Sequence, residues 1–378
     1  MKKKSILFIN QSAGYLMIDI INAHVPLYDN LVLLTGFLNP RETALDKKVR
    51  VNKLIEYKRS SSQKRLITWL GFWFQTVYFV FLKHRKYKVY FVSNPPLNIF
   101  TAKWIKRDFA FLVYDIYPDA LTKNNIISNQ SWLFKYWEKS NQTVYKKAKR
   151  MFTLSHGMKK AMKVAESEKN KLDVVPVWTN NTFFKDVLPS DNEFIKKYDL
   201  QDKFIISYSG NLGKTHPVEK IIELAQKLVD ELEICFLIIG DGDKKDQLLK
   251  MQKKLMLPNL KILDFQPTML FPHVLAAADI GVVTLESDSG DLSVPSKTYN
   301  LMSAGKPILA ISKETSELAQ LVNNNKIGKN FSENEIEQMC DFILKLKSNT
   351  SIYQDMLSQS KKTSLLFSPD NAKKMILK

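Results

Sequence analysis

Short apolar runs alternate with small-residue loops and helical patterns along most of this chain. Runs at 6–9, 31–36, 89–93, 109–113, 151–155 and 174–178 read as buried strands of one sheet. Runs at 205–209, 234–239, 262–265, 280–285 and 308–311 read as strands of a second. Between them, 18–23, 132–150 and 271–278 carry helical patterns. Strands and helices in alternation predict open, parallel α/β sheets, whose ligands bind beyond the carboxyl ends of the strands.

One stretch breaks the pattern. Residues 66–82, LITWLGFWFQTVYFVFL, carry no charge and are bracketed by Arg65 and by Lys83, Arg85, Lys86 and Lys88. A spanning helix needs about twenty apolar residues, and Thr68, Gln75 and Thr76 interrupt this one. A buried helix of the first domain, an interfacial helix with aromatics at the lipid boundary, and a transmembrane span all fit. In the first two cases the flanking cations favour anionic lipid. The preceding segment, 41–65, reads as polar and basic, with a serine-rich loop at 60–62.

A chain of 378 residues suits two domains, and 45% apolar with 25% charged residues describes a globular protein. Two cysteines, Cys235 and Cys340, exclude a disulfide framework or a CxxC metal site, and five scattered histidines show no ligand spacing. The start, MKKKSILFIN, is too short in apolar residues for a signal peptide and reads as a strand, which implies a reducing, cytosolic setting. Charge is unevenly placed: residues 1–184 hold 31 Lys/Arg against 12 Asp/Glu, a net of +19, and the rest holds 25 against 26, summing to +18. A basic half suits nucleic acid, an anionic membrane or a polyphosphate substrate.

Candidate chemistry concentrates in the second half. In the run VPSKTYNLMSAGKPIL, Pro295 suits the first turn of a helix, Ser293 its cap, Gly305 its stop, and Pro307 prevents continuation. The helix N-terminus at Pro295, Ser296 and Lys297 offers amides, a positive dipole end and a full charge to an anion; an ordinary αβ turn with a surface lysine is the alternative. Gly210, Asn211, Gly213 and Lys214 form a glycine-flanked loop after a strand, and Gly240, Asp241 and Gly242 another. Phe265 and Gln266 leave the next strand, where backbone groups can meet a base edge. In the first half, Gly14 lies in a small-residue loop, Ser93 and Asn94 precede Pro95 and Pro96, Asp115 follows a strand, and His156 starts a helix.

These segments, in this order, resemble the retaining glycosyltransferases of family 4, the GT-B group that includes bacterial capsule, exopolysaccharide and O-antigen transferases. The resemblance covers most of the chain and implies two Rossmann-like doubly wound α/β domains facing a central cleft. The expected division is 1–184 for the acceptor, 185–364 for the nucleotide sugar, and a helix at 365–378 returning to the first domain. Lys297, Pro295, Ser296 and the Gly210–Gly213 loop are expected to hold the donor diphosphate. Gly240–Gly242, Phe265 and Gln266 would lie near the base, and Asp115 and Asp288 (or Asp291) near the reacting sugar. Gly14, Ser93, Asn94 and His156 would lie on the acceptor side. The sequence departs from the family twice: Asn211 stands where an arginine is expected, and Asn300 where a glutamate usually holds the donor ribose. The resemblance implies sugar transfer with retention, from a nucleotide diphosphate donor to a lipid-linked polyprenyl diphosphate glycan. No metal or other cofactor is expected, and the protein would sit on the inner face of the membrane. A catalytically idle partner of the same fold, a nucleic-acid-binding protein and a nucleotide-sugar epimerase are the alternatives.

Overall fold

The structure, a computed structural model, describes residues 3–40, 43–58, 60–123, 126–184, 187, 189–214, 216–285 and 294–378. The chain forms two units, Met1–Pro176 with Pro369–Lys378, and Val177–Ser368.

In the first unit the strands are β1 (Ser5–Ile9), β2 (Ser12–Gly14), β3 (Asn30–Thr35), β4 (Phe37–Asn39), β5 (Val49–Lys53), β6 (Lys88–Val92), β7 (Phe109–Val113), β8 (Arg150–Thr153) and β9 (Leu172–Val174). Seven of them make a parallel sheet in the order β5-β3-β1-β6-β7-β8-β9, with β2 and β4 paired beside it. Inner strands such as β7, FAFLV, are buried throughout, as parallel strands covered on both faces must be. The edge strand β5, VRVNK, falls in the stretch that reads as polar and basic, where the pattern predicts no strand; its polar residues satisfy an edge.

The uncharged stretch is the helix Ser62–Tyr78, continued by π-helical turns at Phe79–Lys83. Of the three readings, its orientation goes against the buried helix, since only 28% of its most apolar window is buried. Thr68, Trp69, Phe72, Thr76 and Val80 face inward, whereas Leu66, Ile67, Leu70, Phe74, Tyr78 and Leu82 are exposed. The polar interruptions explain this. Thr68 bonds the carbonyls of Lys64 and Arg65, Gln75 accepts from the Ile55 amide at 3.0 Å, and the Thr68 carbonyl accepts from Gln11 at 2.9 Å. Its hydrogen-bonding face therefore meets the unit. By length and composition alone this helix is able to cross a membrane.

In the second unit, β10 (Phe204–Ser209), β11 (Ile234–Ile239), β12 (Leu260–Leu263), β13 (Ile280–Thr284), β14 (Ile308–Ile311) and β15 (Gly328–Phe331) form a parallel sheet ordered β12-β11-β10-β13-β14-β15. The order reverses between β10 and β13, the switch point where doubly wound sheets open a crevice. β12 ends at Leu263, which leaves Phe265 and Gln266 in its exit loop.

Both expected boundaries move. Residues 177–184 belong to the second unit, because Phe184 and Val177 pack with Val283, Tyr299 and Met302. The return begins at Pro369 rather than 365, because Phe367 still packs on Tyr299 at 5.0 Å. The returning element is a 3-10 helix, Pro369–Met375. Beyond it the Leu377 amide donates to His24 Nε2 at 3.0 Å, and burial lowers the His24 imidazole to about 4, so this imidazole accepts as a neutral group.

Candidate functional site

A cavity of about 520 Å³ opens at the carboxyl ends of β10, β11 and β13, within the second unit. Gly210, Asn211, Phe265, Gln266, Pro295, Ser296, Lys297 and Asn300 line it, together with Ser209 and His216, which sequence reasoning passed over. Eight expected residues from three separate segments thus meet in one place.

Two glycines fix its floor. Gly240 has φ +158°, and a Cβ there would lie 1.9 Å from the Gly210 carbonyl oxygen. Gly210 has φ +156°, and its Cβ would lie 2.7 Å from Lys297 Nζ. Only glycine admits that backbone and that approach. Gly213, Lys214, Gly240, Asp241 and Gly242 are absent from the cavity wall, and some of them shape it from behind. The Leu212 amide donates to the Asp241 carbonyl at 2.8 Å, and Asp241 Oδ1 accepts from the Gly242 amide at 2.9 Å. Lys214 and Asp241 are exposed.

The helix Ser296–Ser303 starts with Pro295 as its N-cap, so it begins one position later than the sequence suggested, and Pro295 rather than Ser293 holds the cap position. Gly305, at φ +68°, ends it, and the Lys306 amide reaches back to the Leu301 carbonyl at 2.9 Å. Ser293, Asp288 and Asp291 lie outside the described residues.

Lys297 is the most unusual side chain here. Its Nζ is buried, has no hydrogen-bond partner among the described residues, and lies 3.6 Å from the centre of the Tyr208 ring. Burial lowers its ammonium to about 7. A buried, unpaired amine at a helix N-terminus is a strong anion receptor once an anion arrives. Tyr208 is itself fixed, its hydroxyl donating to the Asn211 carbonyl at 2.7 Å. His216 places Nδ1 2.9 Å from the Thr284 carbonyl oxygen, and burial, followed by the nearby Lys297 charge, lowers its pKa. The imidazole is therefore neutral near pH 7. Asn300 is buried, and its Oδ1 accepts from Thr179 Oγ1 at 2.9 Å. The side-chain amide is thus oriented by a residue 121 positions away, a partner no sequence signal reveals.

Gln266 is held from both sides. Tyr198 donates to its Oε1 at 3.3 Å, and its Nε2 donates to the Asp264 carbonyl at 2.9 Å. Phe265 is 56% exposed and offers a bare ring face beside it.

In the first unit the remaining expected residues follow the carboxyl ends of β1, β6, β7 and β8. Buried Ser93 accepts at Oγ from the amides of Tyr114 at 2.9 Å and Asp115 at 3.2 Å, which ties these two segments together. Asp115 itself is exposed. The Asn94 carbonyl accepts from the Gln11 amide at 3.0 Å. Gly14 borders a cavity with Ser12, Phe37, Asn39 and Tyr57, and His156 is exposed at the start of the helix His156–Ala161. Among the described residues, no three or more His, Cys, Asp or Glu side chains gather as a metal-holding group.

The paired doubly wound sheets are the GT-B glycosyltransferase architecture. Residues 190–363, which lie within the second unit, match the family described as "Glycosyl transferases group 1". Over 282 residues the chain is 27% identical to the "Probable glycosyltransferase WbjE" of Pseudomonas aeruginosa, spanning 71% of this chain and 69% of that protein. It is 31% identical over 166 residues to the "Putative colanic acid biosynthesis glycosyl transferase WcaI" of Escherichia coli, 43% of this chain and 40% of that protein. The crystal structure of Anabaena HepE in complex with UDP and glucose superposes with a TM-score of 0.70 at 15% identity, covering 98% of both chains. Together these findings support a glycosyltransferase of GT-B architecture.

Proposed function

We propose that this protein moves a sugar from a nucleotide diphosphate sugar to a hydroxyl of a lipid-linked glycan, with retention at the anomeric carbon. The setting would be bacterial surface polysaccharide synthesis at the inner face of the cell membrane. The buried Lys297 ammonium, with no hydrogen-bond partner among the described residues, carries this proposal. Glycosyl transfer breaks the bond to a diphosphate, and negative charge grows on the leaving oxygen. Lys297, the first-turn amides of Ser296–Ser303 and the Gly210–Gly213 loop are preorganised to hold that charge. A polyprotic leaving group stabilised in this way needs no metal.

Phe265 is available to stack on the base and Gln266 to meet its edge. Asn300, with its carbonyl engaged by Thr179, would offer N–H groups to the ribose. On the first unit, the turn around Ser93 and Asp115 would receive the acceptor, with Gly14, Asn94 and His156 near by. Asp288 is retained as a candidate contact to the donor sugar.

The test is turnover. Purified protein is incubated with radiolabelled UDP- and GDP-sugars and polyprenyl diphosphate glycans, and the anomeric configuration of any product is read by NMR. Transfer with retention supports the proposal, and an inverted product defeats the retaining mechanism. Tight nucleotide binding without turnover on a broad panel would point instead to a catalytically idle partner protein.

A further inference from the structure

A second cavity, of about 480 Å³, lies in the first unit at the opposite end of the sheet from the Ser93–Asp115 turn. Lys3, Lys4, Lys86, Lys88 and Lys378 line it, together with Tyr28, and among the described residues no acidic side chain does. Lys88 shares Asp108 with Lys149, at 3.7 Å and 2.9 Å. The Asp29 carboxylate accepts from the Lys4 backbone amide at 2.7 Å. Five lysines in the lining against one shared aspartate leave a local excess of positive charge.

Two of the cavity-lining lysines, Lys86 and Lys88, follow the exposed helix directly along the chain. The chain leaves Phe79–Lys83, passes Arg85 and Lys86, and enters β6 at Lys88. Leu82, 68% exposed, is thus four residues from a cavity-lining lysine. Upstream, Phe74 is 64% and Ile67 66% exposed on the same helix, with Leu70 and Tyr78 between and beyond them. Lys64 and Arg65 stand at the other end of this stripe, and no Asp or Glu occurs between Glu56 and Asp108. An apolar stripe bounded at both ends by cations, in a segment without acids, complements an anionic lipid surface rather than a protein core.

We propose that this stripe and the lysine cavity form one docking surface for an anionic phospholipid bilayer. The stripe enters the boundary between headgroups and acyl chains, and the cavity takes a lipid phosphate. The proposal deepens the membrane part of the function proposed above and rests on it for its setting, but its test needs neither donor nor acceptor.

The full chain is sedimented with vesicles of phosphatidylcholine alone or mixed with phosphatidylglycerol. Two variants accompany it, Lys3→Glu/Lys86→Glu and Ile67→Asp/Phe74→Asp, all at exposed positions. The wild type is expected to prefer anionic vesicles, less so in high salt. The lysine variant loses this preference by about tenfold or more, and the stripe variant loses binding to both vesicles. Equal binding to neutral vesicles, or a lysine variant that binds like wild type, overturns the proposal. So does a dimer in light scattering that the stripe variant splits, because a second copy then covers the stripe. Binding of inorganic phosphate that the lysine variant abolishes, without vesicle binding, makes the cavity a site for soluble anions and also overturns it. Nucleotide binding is measured on the same samples. If nucleotide binds and vesicles do not, this proposal alone fails; if vesicles bind and nucleotide does not, the donor site fails.

Discussion

Lys297 Nζ lies 3.6 Å from the centre of the Tyr208 ring, with no hydrogen-bond partner among the described residues. The ring face supplies the attraction that keeps a buried ammonium in place before an anion arrives. Such contacts are worth about 2 kcal/mol when desolvated. Tyr208→Leu should therefore weaken diphosphate binding by roughly tenfold, while Tyr208→Phe, which keeps the ring, should lose less. Titration calorimetry with nucleoside diphosphates separates the two.

The same burial predicts a pH signature. In the free protein the Lys297 ammonium is lowered to about 7. A bound diphosphate favours the charged form, so binding above pH 7 draws a proton and the affinity falls as pH rises. Calorimetry in buffers of different ionisation enthalpy should show uptake approaching one proton, absent in Lys297→Met. Without ligand, the unfolded chain binds the proton up to the ordinary lysine value of about 10.4, while the folded protein releases it near 7. Between those values the unfolded state holds more protons, so this group makes stability rise with pH. Thermal midpoints across that window should climb less in Lys297→Met.

Thr179 should matter although it is absent from the cavity wall. Thr179→Val leaves the buried Asn300 Oδ1 without its donor, a loss of about 1–3 kcal/mol. It also frees the amide to rotate. The expected result is weaker binding of UDP-type nucleotides, with little change toward inorganic pyrophosphate, which has no ribose.

Gly240→Ala is expected to damage both stability and the site. Its Cβ would meet the Gly210 carbonyl at 1.9 Å, in a backbone conformation that L-residues rarely adopt. The backbone conformation alone costs about 1–3 kcal/mol. Chemical denaturation should show that loss, accompanied by lost nucleotide binding.

Much of this was legible beforehand. Strands 109–113, 234–239 and 308–311 coincide with β7, β11 and β14, because a strand buried on both faces reads as an unbroken apolar run. β5 was not legible, since an edge strand rich in Arg, Asn and Lys looks like loop. The helix Ser62–Tyr78 was placed along the chain, but its buried face was not identified. Its outward side is the more apolar, so hydrophobic patterning alone points the wrong way. In the site, glycines and a lysine at a helix start announced themselves, whereas Tyr208, His216 and Thr179 act through tertiary contacts that ordinary strand and loop residues do not advertise.

The measurement that tests the central claim most directly is calorimetric titration of the pure protein with UDP, GDP, ADP and CMP, beside Lys297→Ala. The account predicts that one nucleoside diphosphate binds and that the substitution weakens it by at least about tenfold. If the variant binds as tightly as wild type, Lys297 is not the diphosphate receptor. If no nucleotide binds to either protein, the cavity at the carboxyl ends of β10 and β13 is not a donor site.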